Sequence, residues 1–451
     1  MWKVVKGILL LVIIVLPIYL WYSLPVITGY GAKVMCSAVF VSHRNVEGVL
    51  REELGSVPFN LGKYILNYSD SSVTATVFGF AKKKAVYRTG LGSTLINDVD
   101  EKDLRSFKPR LYSLYDSLDV RKKWPDGEVI ADTNFSSINY PLIDSSLKYC
   151  FSDTQDSLRR TRAVIVLYKG KIIRERYARG YDSSSVLPGW SMAKSVTNAM
   201  LGILVKTGRL RLNDSGLFKE WKGDERNKIT LADLMHMSSG LRWWEFYAGP
   251  SDVTTMLFKK GDMGGFAVTH SFNFKPDERF YYSSGTANVL SLKIREVVGD
   301  SDYYRFAARE LFSKIGMHHA ILEADASGTF VGSSYCYSTA RDWARFGLLY
   351  LHDGVWNGDR ILPEGWVSFS THETVAPSDM KAGKFGALFW LNVSGRYPHV
   401  PAGCFSAMGY EGQSIWIIPS KDLVVVRLSC EHGNVLDADK FLGMIVKGLG
   451  G

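Results

Sequence analysis

Residues 188–210, PGWSMAKSVTNAMLGILVKTGRL, set Ser191 and Lys194 one turn apart where an apolar helix begins. Met192, Val196, Met200, Ile203 and Leu204 recur at helical spacing, so one face of the segment points into a core. Residues three apart share one side of a helix, which brings the hydroxyl and the amine together. The first N–H groups of a helix lack internal partners, so the Ser191 N–H is available to a developing oxyanion. A lysine enclosed by apolar side chains has its charged form disfavoured, which prepares it as a base toward the hydroxyl. The plain structural alternative is a helix-capping serine beside a solvated lysine.

The bare S-x-x-K pattern occurs at Ser145–Lys148, Ser191–Lys194 and Ser378–Lys381. Only the second opens a long apolar helix; the other two lie in polar stretches read as helix-poor. Two further segments add to it. In PDERFYYSSGTANVLSLKIREVVG, residues 276–299, Tyr282 and Ser284 stand in a turn just before another apolar helix. A phenol beside a serine–lysine pair can relay a proton to and from a leaving group; otherwise Tyr282 merely covers a core edge. In SAMGYEGQSIWIIP, residues 406–419, glycines permit close backbone approach ahead of a rigid strand. Gly412 and the Gln413 N–H are therefore candidates to complete an oxyanion hole, against the alternative of an ordinary turn into a buried strand.

The rest of the chain sets the frame. Hydrophobic residues make 46% and charged residues 22% of the 451, the balance of a globular protein with a substantial core. The net charge of +9 is scattered, with no Arg/Lys stripe, so nucleic acid is not an expected partner. After Lys3 and Lys6 no formal charge occurs from Gly7 to Ala32, and GILLLVIIVLPIYLW is almost wholly apolar. About 20 such residues span a bilayer. Residues 1–32 are expected to be a membrane anchor, with a cleaved signal as the rival. The rest of the chain would then lie outside the cytoplasm, in the periplasm or on the outer face of a bacterial membrane. Five cysteines (Cys36, Cys150, Cys336, Cys404, Cys430) form no C-x-x-C pair or zinc spacing, and no H-E-x-x-H occurs. No metal and no cofactor are expected. Residues 33–155 read as an accessory α/β region, with VEGVLREEL a helix and SSVTATVFGF and KKAVYRTGLG a hairpin. Residues 156–451 read as the main domain. It opens with two strands in TRAVIVLYKGKIIRERYARG, turns helical in its middle, and returns to strands at FGALFWLNV, SIWIIPS and LVVVRLS.

Taken in order, WSMAKS, ITLADLMHMSSGL, FYYSSG and GYEGQ give residues 161–429 a resemblance to the penicillin-recognising serine hydrolases related to class C β-lactamases. Within that group the chain is most similar to the aminohexanoate-oligomer hydrolase and carboxylesterase branch. The resemblance implies an α/β (α+β) fold: a β-lactamase/transpeptidase-like sheet flanked by helices, with a mostly helical second lobe. To this the sequence adds the small N-terminal α/β unit and one transmembrane helix. It also implies a metal-free serine acyl-enzyme acting on a small amide or ester. Ser191 would be the nucleophile, Lys194 and Tyr282 would share proton transfer, and Ser284 would bond within that network. Two departures bear on substrate. Ser284 stands where a β-lactamase usually has Asn, and Tyr410, Glu411 and Gly412 stand where a Lys-Thr-Gly cation is usual. Lys206-Thr207-Gly208 spells that motif but ends the nucleophile helix, with Gly208 as its cap. Trp244 and Tyr247, in the aromatic loop LRWWEFYAGPSD, are candidates to line an acyl pocket with Tyr410. Rival readings are an α/β-hydrolase elbow at GWSMA, which needs a strand running straight into the serine, a β-lactamase or D-amino-acid peptidase, and a non-catalytic or cell-wall-binding protein of the same fold.

Overall fold

The computed structural model describes residues 2–114, 119–131, 133–154, 158–374, 377, 384–433 and 435–450, leaving out the side chains of 2–5 and 7–14. Ser378 and Lys381 lie outside the described residues. The chain forms two compact units. The first comprises Met1–Lys108, Trp243–Ala267 and Glu323–Thr329; the second comprises Pro109–Arg242, Val268–Leu322 and Phe330–Gly451.

In the first unit, strands Gly62–Asn67, Ser72–Val77, Phe80–Arg88 and Gly92–Leu95 form a four-stranded antiparallel sheet in chain order. Val73, Ala75 and Val77 alternate into its buried face. Helix Trp2–Phe40 packs there with Ala32, Met35 and Cys36 fully buried. The apolar segment expected to end at residue 32 therefore continues as one helix, and from Ser23 onward most of its residues are buried in protein. Its stretch Val15–Phe40 is long and apolar enough to cross a bilayer, yet most of its apolar window is buried inside the unit. Gly29 and Gly31, small residues of the kind a signal peptidase favours, serve packing instead. A Cβ at Gly29 would lie 2.8 Å from the Phe258 carbonyl oxygen, and one at Gly31 would lie 2.2 Å from the Tyr64 ring. Lys33, near the C-terminal end of this helix, is buried against Glu323. The Glu323 carboxylate also accepts from the Ser37 hydroxyl at 2.9 Å and the Ser93 N–H at 2.7 Å.

The second unit is built on a seven-stranded antiparallel sheet. Its strand order is Lys384–Phe385, Trp390–Leu391, Phe405–Gly409, Gln413–Ile418, Leu423–Ser429, Thr161–Tyr168 and Lys171–Tyr177. Strands from both ends of this region thus share one sheet, as the sequence implies, with Val425 opposite Val166. Val164, Val166, Trp416 and Val425 pack with Ile143 and Leu147 of helix Tyr140–Cys150 and with Phe441 and Ile445 of helix Ala438–Gly448. Helix Ala340–Leu351 lies against Ile415 and Val424 on the other face.

One strand expected from the sequence is broken in two. FGALFWLNV forms a hairpin of the short strands Lys384–Phe385 and Trp390–Leu391, and Leu388 between them has a φ of 64°. The intervening carbonyls are used elsewhere: Ala387 accepts from the Asn198 amide at 2.7 Å and Leu388 from the Ser195 hydroxyl at 2.8 Å. The turn between the two short strands thus packs on helix Ala193–Lys206. The segment 145–148, read as helix-poor, lies in helix Tyr140–Cys150, where Ser145 and Lys148 face solvent.

Helix Leu231–Met235, from ITLADLMHMSSGL, starts in a Thr230–Asp233 capping box and ends at His236. The His236 ring lies edge-on to Phe369, with Nδ1 3.0 Å from the Thr374 hydroxyl, and burial lowers its pKa to about 4. The folded unit thus holds this imidazole neutral, while an unfolded chain takes up a proton below about 6.5. The depressed value means stability present above pH 6.5 and lost as pH falls toward 4, by on the order of 2–3 kcal/mol. Urea unfolding at pH 7 and pH 4.5 should show this step in the wild type and its absence in His236→Gln.

Candidate active site

Strand Leu187–Pro188 pairs with Cys336–Ser338, and the Gly189 N–H donates to the Cys336 carbonyl at 2.8 Å. The chain then makes a tight 3₁₀ turn, Trp190–Met192, before helix Ala193–Lys206. Ser191 thus stands in the turn preceding the helix, not in its first α-turn. Trp190 has a φ of 47°. A non-glycine residue held in that region costs about 1–3 kcal/mol, so its surroundings must impose it. The Trp190 indole N–H donates to Glu411 Oε2 at 3.1 Å, and its ring meets Tyr410 edge-on with centroids 5.6 Å apart. Glu411 is itself left-handed, with a φ of 61°, and its carbonyl accepts from the Glu431 N–H at 3.1 Å. Two strained residues therefore fasten each other directly beside the serine.

Lys194 is 2% exposed. Its Nζ lies 3.0 Å from Ser191 Oγ, 3.1 Å from Ser284 Oγ and 2.9 Å from the Ser333 carbonyl oxygen. An ammonium would donate to all three. A neutral amine can still satisfy every one: the carbonyl only accepts, so Nζ donates there, donates to one hydroxyl and accepts from the other. The site therefore suits both protonation states a base passes through. Ser333 is fixed by its N–H, which donates to Asn288 Oδ1 at 3.2 Å. Nζ also lies 4.9 Å from the Tyr282 ring centre, and that ring stacks on Trp390 at 5.4 Å. Ser284 is fully buried at the head of helix Ser284–Val298, which Ser283 caps. The structure thus brings Ser191, Lys194, Tyr282 and Ser284 together.

At the sheet edge the residue against Ser191 is Gly409. A Cβ there would lie 2.1 Å from the Gly189 carbonyl oxygen and 3.1 Å from the Ser191 nitrogen, so only glycine fits. Gln413 pairs with Gly409 across the hairpin, and its side-chain amide is engaged with the Ser429 carbonyl at 2.6 Å and N–H at 3.1 Å. Gly412 turns the hairpin, and its carbonyl accepts from Arg427 at 3.3 Å. Tyr410 is half exposed, whereas Glu411 is buried toward Trp190. Trp244 and Tyr247 belong to the first unit and are exposed, while Ser191 belongs to the second. The Lys206-Thr207-Gly208 string lies at the end of helix Ala193–Lys206, with Gly208 left-handed at a φ of 70°.

Sequence reasoning missed three contributors. The Ser333 carbonyl carries no side-chain signal, Gly409 was one of two glycines in the quoted motif, and the Glu411–Trp190 bond joins residues far apart in the chain. Glu411, Cys430 and His432 also bring ligand atoms within 4.8 Å of one another. Cys430 and His432 follow just after strand Leu423–Ser429, in a C-x-H spacing that is neither C-x-x-C nor H-E-x-x-H.

Residues 153–441 match the Beta-lactamase family. The chain is 26% identical over 290 residues to the 6-aminohexanoate-dimer hydrolase of Paenarthrobacter ureafaciens, covering 60% of this chain and 72% of that one. Among solved structures it is similar to a penicillin-binding protein homologue from Caulobacter crescentus, at 14% identity and a TM-score of 0.55, over 70% of this chain and 97% of that one. It is also similar to a family VIII carboxylesterase, at 14% identity and a TM-score of 0.54, over 70% and 97%. The fold is β-lactamase/transpeptidase-like, and this chain belongs to the Beta-lactamase family, as a serine hydrolase.

Proposed function

We propose that the chain hydrolyses a small amide or ester through an acyl-Ser191 intermediate. The observation that carries this is the Lys194 amine, buried and 3.0 Å from Ser191 Oγ in a site that accommodates it charged or neutral. Ser191 Oγ attacks the substrate carbonyl carbon and its proton passes to Lys194 Nζ. The developing oxyanion is held by the Ser191 N–H and by a backbone N–H of the sheet-edge motif 409–413, whose Gly409 packs against the Ser191 nitrogen. Tyr282, against Lys194, hands the proton to the leaving oxygen or nitrogen. Water then attacks the acyl-enzyme by the same route in reverse, releasing the acid and restoring Ser191. The N-terminal helix would carry this hydrolase on the membrane, with both compact units outside the cytoplasm.

Substrate class follows from the sheet edge. Pairing with a β-lactam carboxylate calls for a cation there, a charge-assisted contact among the stronger ones. This chain has half-exposed Tyr410 and a Glu411 turned inward onto Trp190, while Ser284 replaces the amide that usually holds the acyl side chain. Esters and linear amides with neutral or cationic ends should exceed cephalosporins by at least about tenfold in kcat/KM, or ~1.4 kcal/mol. Side-by-side kinetics on a p-nitrophenyl acyl ester and a chromogenic cephalosporin test it, and a faster cephalosporin reaction would sink it.

A further inference from the structure

We propose that the loop Trp244–Tyr247 is a membrane-contact surface, seated in the lipid–water interface beside the N-terminal helix where that helix leaves the first unit. The proposal rests on reading that helix as the anchor. Within Trp2–Phe40, residues from Ser23 onward are mostly buried in protein, whereas Val15 to Tyr22 are exposed. At 1.5 Å per residue, positions 2–22 extend about 31 Å. That matches the ~30 Å hydrocarbon thickness of a bilayer. The helix thus divides into a lipid-length outer part and a core part, and the water boundary falls near residues 19–22. Tyr19, Trp21 and Tyr22 stand there, 51%, 77% and 53% exposed. Tyr and Trp concentrate at that depth because their rings are apolar and their polar groups still reach water.

The loop lies at the same level of the same unit. The Tyr19 hydroxyl is 3.7 Å from where a Cβ on Gly249 would sit, two residues beyond Tyr247. Trp244, Phe246 and Tyr247 are 53%, 44% and 54% exposed, and the first two stack with centroids 5.5 Å apart and planes 8° from parallel. An outward aromatic stack is a poor surface for water and a suitable one for the interface. The loop is also held in shape. The Trp244 N–H donates to Asp252 at 2.9 Å, and Glu245 is tied by the Trp243 indole and by the Tyr247 hydroxyl at 2.7 Å. Beside it, Lys259 Nζ sits 5.2 Å from the Tyr22 ring centre, placing a cation where anionic headgroups would lie. Trp244 and Tyr247 thereby acquire a role other than lining an acyl pocket.

The test uses the full chain reconstituted in phosphatidylcholine/phosphatidylglycerol vesicles that carry a lipid with a photoactivatable group at the top of one acyl chain. Cross-linked residues are mapped by peptide mass spectrometry. Adducts are expected both on residues 15–22 and on 244–247, with loop adducts reduced at least fivefold in Trp244→Ser/Phe246→Ser/Tyr247→Ser. Adducts on the helix alone would overturn the loop surface and leave the anchor standing. Adducts on neither segment would overturn both. Equal labelling of the loop by a water-soluble photoprobe would show mere exposure and would also overturn the surface.

Discussion

Ser191→Ala is expected to abolish turnover, lowering kcat by at least 10²-fold and by up to about 10⁶, the range over which serine hydrolases lose activity with their nucleophile. In the proposed mechanism this hydroxyl forms the bond to substrate. Its structural share is small. The Ser191 side chain is partly exposed and shares Lys194 with Ser284 and the Ser333 carbonyl, so the lysine keeps two of its three oxygen partners when the hydroxyl is gone. The melting temperature should therefore stay within a degree or two of wild type. More than about a hundredth of wild-type activity at an unchanged melting temperature would remove Ser191 from the chemistry.

Lys194→Ala should cost about 10² to 10⁴ in kcat, the usual range for lost acid–base help. Here folding is also affected. The substitution leaves a cavity and strips the Ser333 carbonyl of a buried donor, a loss of about 1–3 kcal/mol. Lys194→Met keeps most of the volume and separates the two effects: kcat should remain as low while part of the stability returns. Tyr282→Phe should also lose 10² to 10⁴ if the phenol relays the proton. Should Phe retain activity, the ring's contact with Nζ is the whole contribution and the relay is wrong. In the double variant the combined loss should fall well short of the product of the single losses, because the two residues serve one transfer. Multiplicative losses would mean two independent roles.

Each pair was legible from local rules, i, i+3 spacing for Ser191 and Lys194 and a turn before an apolar helix for Tyr282 and Ser284, whereas the meeting of the two pairs, 90 residues apart, followed from the family resemblance. The sheet-edge partner was not legible. Gly409 sits in the same short motif as Gln413, and its close approach to Gly189 is a tertiary contact that spacing cannot reveal. The buried face of Glu411 was open for the same reason, since its bond partner Trp190 lies far away in the chain. At the N-terminus hydropathy cannot distinguish lipid from protein as the apolar surroundings, so residues 23–32 read as membrane although they are largely buried in protein. The break in the strand expected over 385–393 has a similar cause: its apolar side chains mark burial, and the carbonyls of Ala387 and Leu388 go to Asn198 and Ser195 instead of a neighbouring strand.

The central claim, that Ser191 is an activated nucleophile, is tested most directly by reaction with a fluorophosphonate and mass mapping of the adduct. One covalent adduct is expected, on Ser191 in the tryptic peptide that ends at Lys194, with its rate of formation falling at least about 10²-fold in Lys194→Met. No adduct on the folded chain, or an adduct on Ser284 with Ser191 unmodified, would contradict it.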